Sequence, residues 1–312
     1  MVAIAFPADA IMIRTELQRR LRRLLSGSQT GVPEWTPLVE EGDDPGLYAP
    51  NDAPWVVHAD IATTIGGIRS LLVQALHPGS LAGVMQHSRY EQDVLGRLHG
   101  TIRWLTISTF GSRTAISNEA MRVRGMHDRV RGKYVSNEQE SRSYRASDQD
   151  LLQWVHLAFT DSFLVAHSQY GKAAIPGGPD AYVAQWANAV TALGLAEPPT
   201  SASELRRMMA RYDAELVVNE KTRNVISFIK SAPLPLAARP TYRVLFWAAV
   251  DLLPPEYARR IGIRIPPRWL VRPLASAVLR VMRMIIGRRS PLEDAALRRI
   301  ERLGHAGHRV AQ

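Results

Sequence analysis

Cysteine is absent from the 312 residues. The chain therefore has no disulfide, no thiolate-held metal, no iron–sulfur cluster and no cysteine nucleophile, and any metal must be held by His, Asp, Glu, Tyr or Met. Long apolar runs are also missing: no segment reaches about 18 consecutive uncharged apolar residues. The first residues carry no basic region ahead of an apolar run, so the sequence predicts neither a spanning helix nor a cleaved signal, and the expected location is the cytoplasm.

The common catalytic and binding signatures are missing as well. The sequence contains no GxGxxG, GxxxxGK[ST], GxSxG or HExxH pattern, which removes the usual support for a dinucleotide enzyme, a P-loop enzyme, a serine hydrolase or a zincin. No Glu-x-x-His occurs, although an all-α di-iron carboxylate protein needs two. Recognition-helix, zinc-finger, RNP and KH signatures are equally absent, so no nucleic-acid partner is expected.

Period-two alternation is scarce, and helical spacing of apolar residues dominates. One helix is predicted to begin at Ser117 and to align Val123, Met126, His127 and Val130 on one face. A second is predicted to begin at Ser147 or Asp148, with a buried stripe of Leu151, Leu152, Val155, Phe159 and Phe163. The sequence thus predicts an all-α fold: an N-terminal helix and Pro/Gly-rich arm over residues 1–54, one large helical domain over 55–290, and a basic tail over 291–312.

The net charge of +10 is concentrated near the C-terminus. From Arg206 onward there are 21 Lys and Arg against 8 Asp and Glu, whereas the preceding part has 18 against 21. Within this part, Leu270, Leu274, Val278, Met282 and Ile285 recur at helical spacing with arginines between them. Two interpretations stay open: a helix that docks its apolar stripe on the core, and a basic amphipathic helix that contacts an anionic membrane surface.

The nine histidines are poorly spaced for a site with several histidine ligands. His87 and Glu91 are one turn apart and are expected to form a surface pair, and His77, just before Pro78, is predicted to end a helix. A single histidine without neighbouring ligands suits haem, which asks the protein for one axial ligand. His127 is such a histidine, among arginines in the stretch RVRGMHDRVRGKY, although a hydrogen-bonded core histidine is the alternative interpretation.

A set of landmarks resembles a large family that includes latex-clearing proteins (rubber oxygenases) and MpaB-type oxygenases. They occur in the family's order over about residues 55–170, and the segment to about residue 285 is similar in style. The landmarks are His77-Pro78, His87, Arg97-x-x-x-Thr101, Phe110-Gly111, His127 with Gly132, Tyr144 with Ala146, and Trp154-Val155-His156.

This resemblance implies an all-helical fold that holds a non-covalent haem b in a slot between helices. By motif position, His127 is similar to the family's proximal iron ligand, and Arg97 and Thr101 match residues beside the distal pocket. The resemblance also makes His156 a candidate residue near the cofactor, with a satisfied core histidine as the alternative. Latex-clearing proteins carry a lysine just before that threonine, where this chain has Gly100. A lysine cap on the iron is therefore not available at this position, which argues against polyisoprene itself as the substrate.

The resulting prediction is a haem-dependent mono- or dioxygenase that uses O2 on an apolar, isoprenoid-like or lipid-like substrate. Two alternatives remain: a haem-binding or gas-sensing protein without turnover, and a membrane-associated helical interaction protein with a decayed cofactor site. Peripheral contact with an anionic membrane is also predicted. The sequence leaves the oligomeric state open.

Overall fold

The computed structural model describes residues 28–87, 94–287 and 289–310, together with residues 16, 18, 19, 22 and 23; of residues 87, 94–98 and 306–310 it describes the backbone alone. This part of the chain forms fourteen α-helices and one two-stranded sheet, so the all-α prediction is confirmed. The helices are α1 (Thr36–Glu40), α2 (Ala53–Ala59), α3 (Thr63–Gln74), α4 (Pro78–His87), α5 (Val94–Phe110), α6 (Arg113–His127), α7 (Gln149–Tyr170), α8 (Gly178–Ala192), α9 (Ala202–Arg211), α10 (Glu220–Lys230), α11 (Arg239–Asp251), α12 (Pro255–Ile261), α13 (Arg268–Ile286) and α14 (Pro291–Val310).

The sheet joins α6 to α7 and was not predicted. Strands β1 (Arg131–Val135) and β2 (Ser141–Arg145) pair antiparallel, with Gly132 opposite Tyr144. Tyr144 is buried and its ring packs so close to Gly132 that a Cβ there would lie 2.9 Å from it. Gly132 and Tyr144, both landmarks of the resemblance, are therefore partners in one hairpin.

The main core is built around α7, which packs along α3. Gly66 of α3 allows this close approach, because a Cβ at that position would lie 2.9 Å from the ring of Phe163. Arg69 of α3 is buried in the same contact, where it pairs with Asp161 at 2.7 Å and donates to Ser162 Oγ at 2.7 Å. A buried arginine is tolerated only when its charge is paired and its donors are used, and Arg69 meets both conditions.

A second apolar cluster brings the two ends of the described chain together. Trp35 and Val39 from the N-terminal part pack with Phe110 of α5 and with Ala295 of α14. Arg299 of α14 is fully buried there, and its guanidinium donates to the carbonyl oxygens of Val39, Asp44, Pro45 and Phe110. Residues 291–310 thus form a helix whose first half lies against α1 and α5.

Two local predictions are wrong in detail. Helix α6 begins at Arg113, and its cap is Ser112, five residues before the predicted Ser117, because Ser112 Oγ accepts the amide of Ala115. His77 starts a helix rather than ending one: its Nδ1 accepts the amides of Gly79 and Ser80 in the first turn of α4.

The predicted apolar faces are also only partly buried. Met126 is 41% exposed and Val155 is 37% exposed, so neither belongs to the buried stripe of its helix. The predicted start of α7 is confirmed, with Asp148 as the capping residue.

Among the described residues, no single helix has the length and apolar character needed to cross a membrane. Helices α2 and α3 reach that threshold only as a pair, and they are bent by 94° at the break between them. The cytoplasmic location stays a prediction.

Candidate functional site

The candidate site is built on the neighbouring helices α5 and α6, which are joined by Gly111 and Ser112. Glu119 of α6 is 3% exposed and pairs with Arg103 of α5 at 3.0 Å and with Arg122 of its own helix at 2.6 Å. Burial opposes ionisation of this carboxyl, but the hydrogen bonds from Arg122 and Arg103 hold its pKa below the ordinary value. This cluster of one carboxylate and two arginines holds α5 and α6 together.

His127 is the last residue of α6 and continues its buried stripe. Ile116, Ala120 and Val123 are buried at the spacing of one helix face, and His127 follows Val123 by four residues on that face. The side chain is half-buried because the stripe leaves the core at this end of the helix. Arg124 and Arg129 on either side of it are exposed. The histidine thus faces inward at the rim of the core, with cations beside it.

Thr101 of α5 has the corresponding position on the partner helix. Leu105 and Ser108 are buried, and Thr101 precedes them by four and seven residues, which places it on the same face one turn further out. Thr101 itself is exposed. Arg97 is one more turn along this face, but its side chain lies outside the described residues, as does that of His87.

The same ends of α5 and α6 each carry a glycine with open surroundings in the described part of the chain. A Cβ added to Gly100 or to Gly125 would meet none of the described atoms within 4 Å. His99 is on the face of α5 that carries Arg103, one turn nearer the start of the helix. Its Nε2 is buried without a hydrogen-bond partner in the described part of the chain. A buried ring nitrogen without a partner is uncommon and marks this end of the helix pair as a place where a bound group would add contacts.

His156 lies on the neighbouring helix α7 and is 5% exposed. Its Nδ1 is 3.3 Å from Thr160 Oγ1, one turn further along the helix. Burial lowers the pKa of His156 to about 3, so the ring is neutral at physiological pH. The structure therefore gives this histidine a partner in its own helix, and a role next to a cofactor stays a prediction, as do the roles of His127, Arg97 and Thr101.

The described residues contain one His/Asp/Glu cluster with the spacing of a metal site: His77, Asp150 and Glu215, each offering a ligand atom within 4.8 Å of the other two. Sequence analysis missed it because Glu215 is far along the chain. Since Nδ1 of His77 accepts two backbone amides, the proton of the neutral ring is on Nε2, 3.5 Å from Glu215 Oε2. This Nε2 is buried and has no hydrogen-bond partner in the described part of the chain, and a metal on it would have to displace its proton, so the cluster does not fit a metal with the ring in this tautomer.

Comparison with known families identifies the chain. Residues 55–286 match the family described as "ER-bound oxygenase mpaB/B'/Rubber oxygenase, catalytic domain", and the chain belongs to this family. The match covers α3 to α13 and most of α2, including every candidate residue above. It supports an oxygenase type of domain and a metal cofactor. No curated protein and no solved structure gives a significant match.

Proposed function

We propose that the protein is a haem b-dependent oxygenase that acts with O2 on an apolar, lipid-like or isoprenoid-like substrate. Family membership over residues 55–286 is the observation that carries this proposal. The position of His127 supports it: an imidazole on the inward face of α6, at the point where that face leaves the core, on a helix that contacts α5. Among the metals that oxygenases use, haem iron needs the fewest protein ligands, which suits a single histidine at the end of a helix.

The residues of this chain fit such a group. His127 would hold the iron, and the exposed Arg124 and Arg129 would pair with the propionates. Exposed Met121 and Met126 of the same helix would provide apolar contact area. When bound, haem would supply the iron centre at which dioxygen is activated.

The other residues would bind and orient. Thr101 would donate a hydrogen bond on the α5 side, and Arg97 would add a charge-assisted one. His156, neutral because of its low pKa, would add a buried polar contact without placing a charge near an apolar substrate. The Arg103–Glu119–Arg122 cluster would keep α5 and α6 in register while their far ends accommodate the cofactor.

Replacing His127 with Ala tests the proposal. Wild-type protein from haem-supplemented cells is expected to show a Soret band, and the His127→Ala variant is expected to lose it with helical circular dichroism retained. His305→Ala is the matched control, because this histidine is on the exposed side of α14 with its side chain 77% exposed. A colourless wild type, or an unchanged Soret band in the His127→Ala variant, would contradict the proposal.

Oxygen uptake separates catalysis from simple binding. With a reductant and squalene as an apolar isoprenoid probe, the haem-loaded protein is expected to consume O2 faster than the same protein without squalene. A haem-loaded protein that shows no such increase with squalene or with a fatty acid would instead be a carrier or gas sensor.

A further inference from the structure

Helix α13 has a second apolar face that the rest of the described chain does not cover. The buried face consists of Val271, Ala275, Leu279 and Met282, which pack into the core. The other face carries the exposed side chains of Trp269 (78%), Leu270 (52%), Leu274 (48%), Val281 (48%) and Met284 (59%). Soluble domains rarely expose an apolar strip of this length along one helix.

The sequence prediction for this helix mixed the two faces. Met282 faces the core, Val278 and Ile285 are half-buried, and Leu270 and Leu274 are exposed. The helix therefore docks on the core with one side and presents a separate apolar strip to its surroundings. We call the side chains of Trp269, Leu270, Leu274, Val281 and Met284 the apolar strip.

The surroundings of the apolar strip are strongly basic. Residues 221–292 contain fourteen Lys and Arg against two Asp and Glu. One of the two acids, Asp251, is buried and paired with Arg268 and Arg272, which leaves Glu256 as the exposed acid of this segment. Arg264 and Arg280 are exposed close to the two ends of the strip, and Arg239 and Arg243 are exposed on the neighbouring α11.

We propose that the apolar strip of α13 and the arginines around it dock the protein on an anionic lipid bilayer. Apolar side chains on one side of a basic helix insert at the level of the headgroups while the cations meet the lipid phosphates. A tryptophan at the start of such a helix suits the same interface, because its ring is amphipathic. A second copy of this chain fits less well, because pairing the strips would bring two segments of like charge together without acids to offset them.

Vesicle co-sedimentation of the full chain tests this surface. The protein is expected to bind phosphatidylcholine vesicles that contain phosphatidylglycerol and to bind only weakly to vesicles without it. Binding is expected to fall steeply as the sodium chloride concentration is raised. The variant Arg264→Glu/Arg280→Glu is expected to lower the partition coefficient by at least about tenfold, because each basic group near the surface contributes on the order of a fivefold gain. Arg283 is left unchanged because it pairs with Asp60 at 2.7 Å and supports the fold.

Two further variants make the result specific. Leu274→Ser/Val281→Ser removes apolar area at exposed positions, so the fold is expected to be retained and binding to fall. Arg206→Glu/Arg207→Glu is the matched charge control, since both arginines are exposed on α9. The proposal is overturned if the control weakens binding as much as Arg264→Glu/Arg280→Glu does, or if the serine variant binds like wild type. It is also overturned if light scattering shows a wild-type dimer that the serine variant converts to a monomer without a change in vesicle binding.

Discussion

At the scale of single residues, the histidines differ in their burial and in their hydrogen-bond partners. His58 is buried with a partner on α5, and His77 is buried and accepts backbone amides of the first turn of α4. His156 is buried with a partner in its own helix, and His127 is half-buried at the end of a helix. The sequence showed that His127 was unusual because of its arginine-rich neighbourhood. It did not show that His77 caps α4, because the usual capping residues are Ser, Thr, Asp and Asn, and histidine is not among them.

Gly100 offers a direct test of the distal side of the candidate site. A Cβ at this position would meet none of the described atoms within 4 Å, and Gly100 is exposed, so the backbone leaves space for a lysine. In the haem-loaded protein, Gly100→Lys is expected to supply an amine ligand to the iron, shift the Soret band to a low-spin position and slow the binding of added imidazole. Gly67→Lys is the control, since Gly67 is also helical and open at its Cβ but lies on α3. Identical spectra for wild type and both variants would place the distal face away from Gly100.

At the scale of elements, helices were predictable where one face is buried along its whole length. Prediction from apolar periodicity failed where tertiary packing determines the local structure. The hairpin β1–β2 has no alternation of apolar and polar residues that would predict strands. Its burial depends instead on Tyr144, which packs over Gly132 and against α4. Ser117 followed closely by Glu119 is a pattern that predicts a helix start. Glu119 is instead the buried partner of Arg103 and Arg122, and a short sequence window cannot reveal these contacts.

The α5–α6 pair is expected to depend on that carboxylate. Glu119→Gln keeps the shape but removes the charge shared by two arginines, and it is expected to lower the free energy of unfolding by about 1–3 kcal/mol. Glu138→Gln is the control, because this carboxylate pairs with Arg142 on the surface with its side chain 68% exposed, and its loss is expected to cost less than about 0.5 kcal/mol. Urea denaturation of both variants measures the difference. Equal effects would mean that the buried cluster does not hold the helix pair together.

At the scale of the whole molecule, the candidate site and the apolar strip belong to different parts of the chain. The site is at the ends of α5 and α6, whereas the strip is on α13, which packs on α11. The family match spans residues 55–286 and so includes all of α13. Residues on both sides of the match belong to the second apolar cluster. Leu292 and Ala295, for example, pack with residues inside the match, so the chain on both sides of the matched region contributes to one folded body.

The fold as a whole is expected to be sensitive to acid because it buries neutral histidines. Burial, together with the neighbouring His167, lowers the pKa of His58 to about 3, and burial lowers the pKa of His156 to about 3 and that of His77 to about 4. An unfolded histidine titrates near 6.5, so between that pH and the folded pKa the unfolded chain binds more protons and stability falls as the pH falls. Each histidine contributes a slope of about 1.4 kcal/mol per pH unit in this window.

His58 provides the cleanest test of this prediction, since its ring is buried between Thr109 Oγ1 at 2.8 Å and Tyr182 OH at 3.0 Å, away from the ends of α5 and α6 that form the candidate site. His58→Gln is expected to lower stability at pH 7, because an amide cannot reproduce both hydrogen bonds with the same shape. Between pH 7 and pH 5, however, the variant should lose about 2 kcal/mol less than wild type, because its side chain takes up no proton on unfolding. Urea denaturation at both pH values measures the two losses. Parallel losses in wild type and variant would show that His58 is not buried in its neutral form.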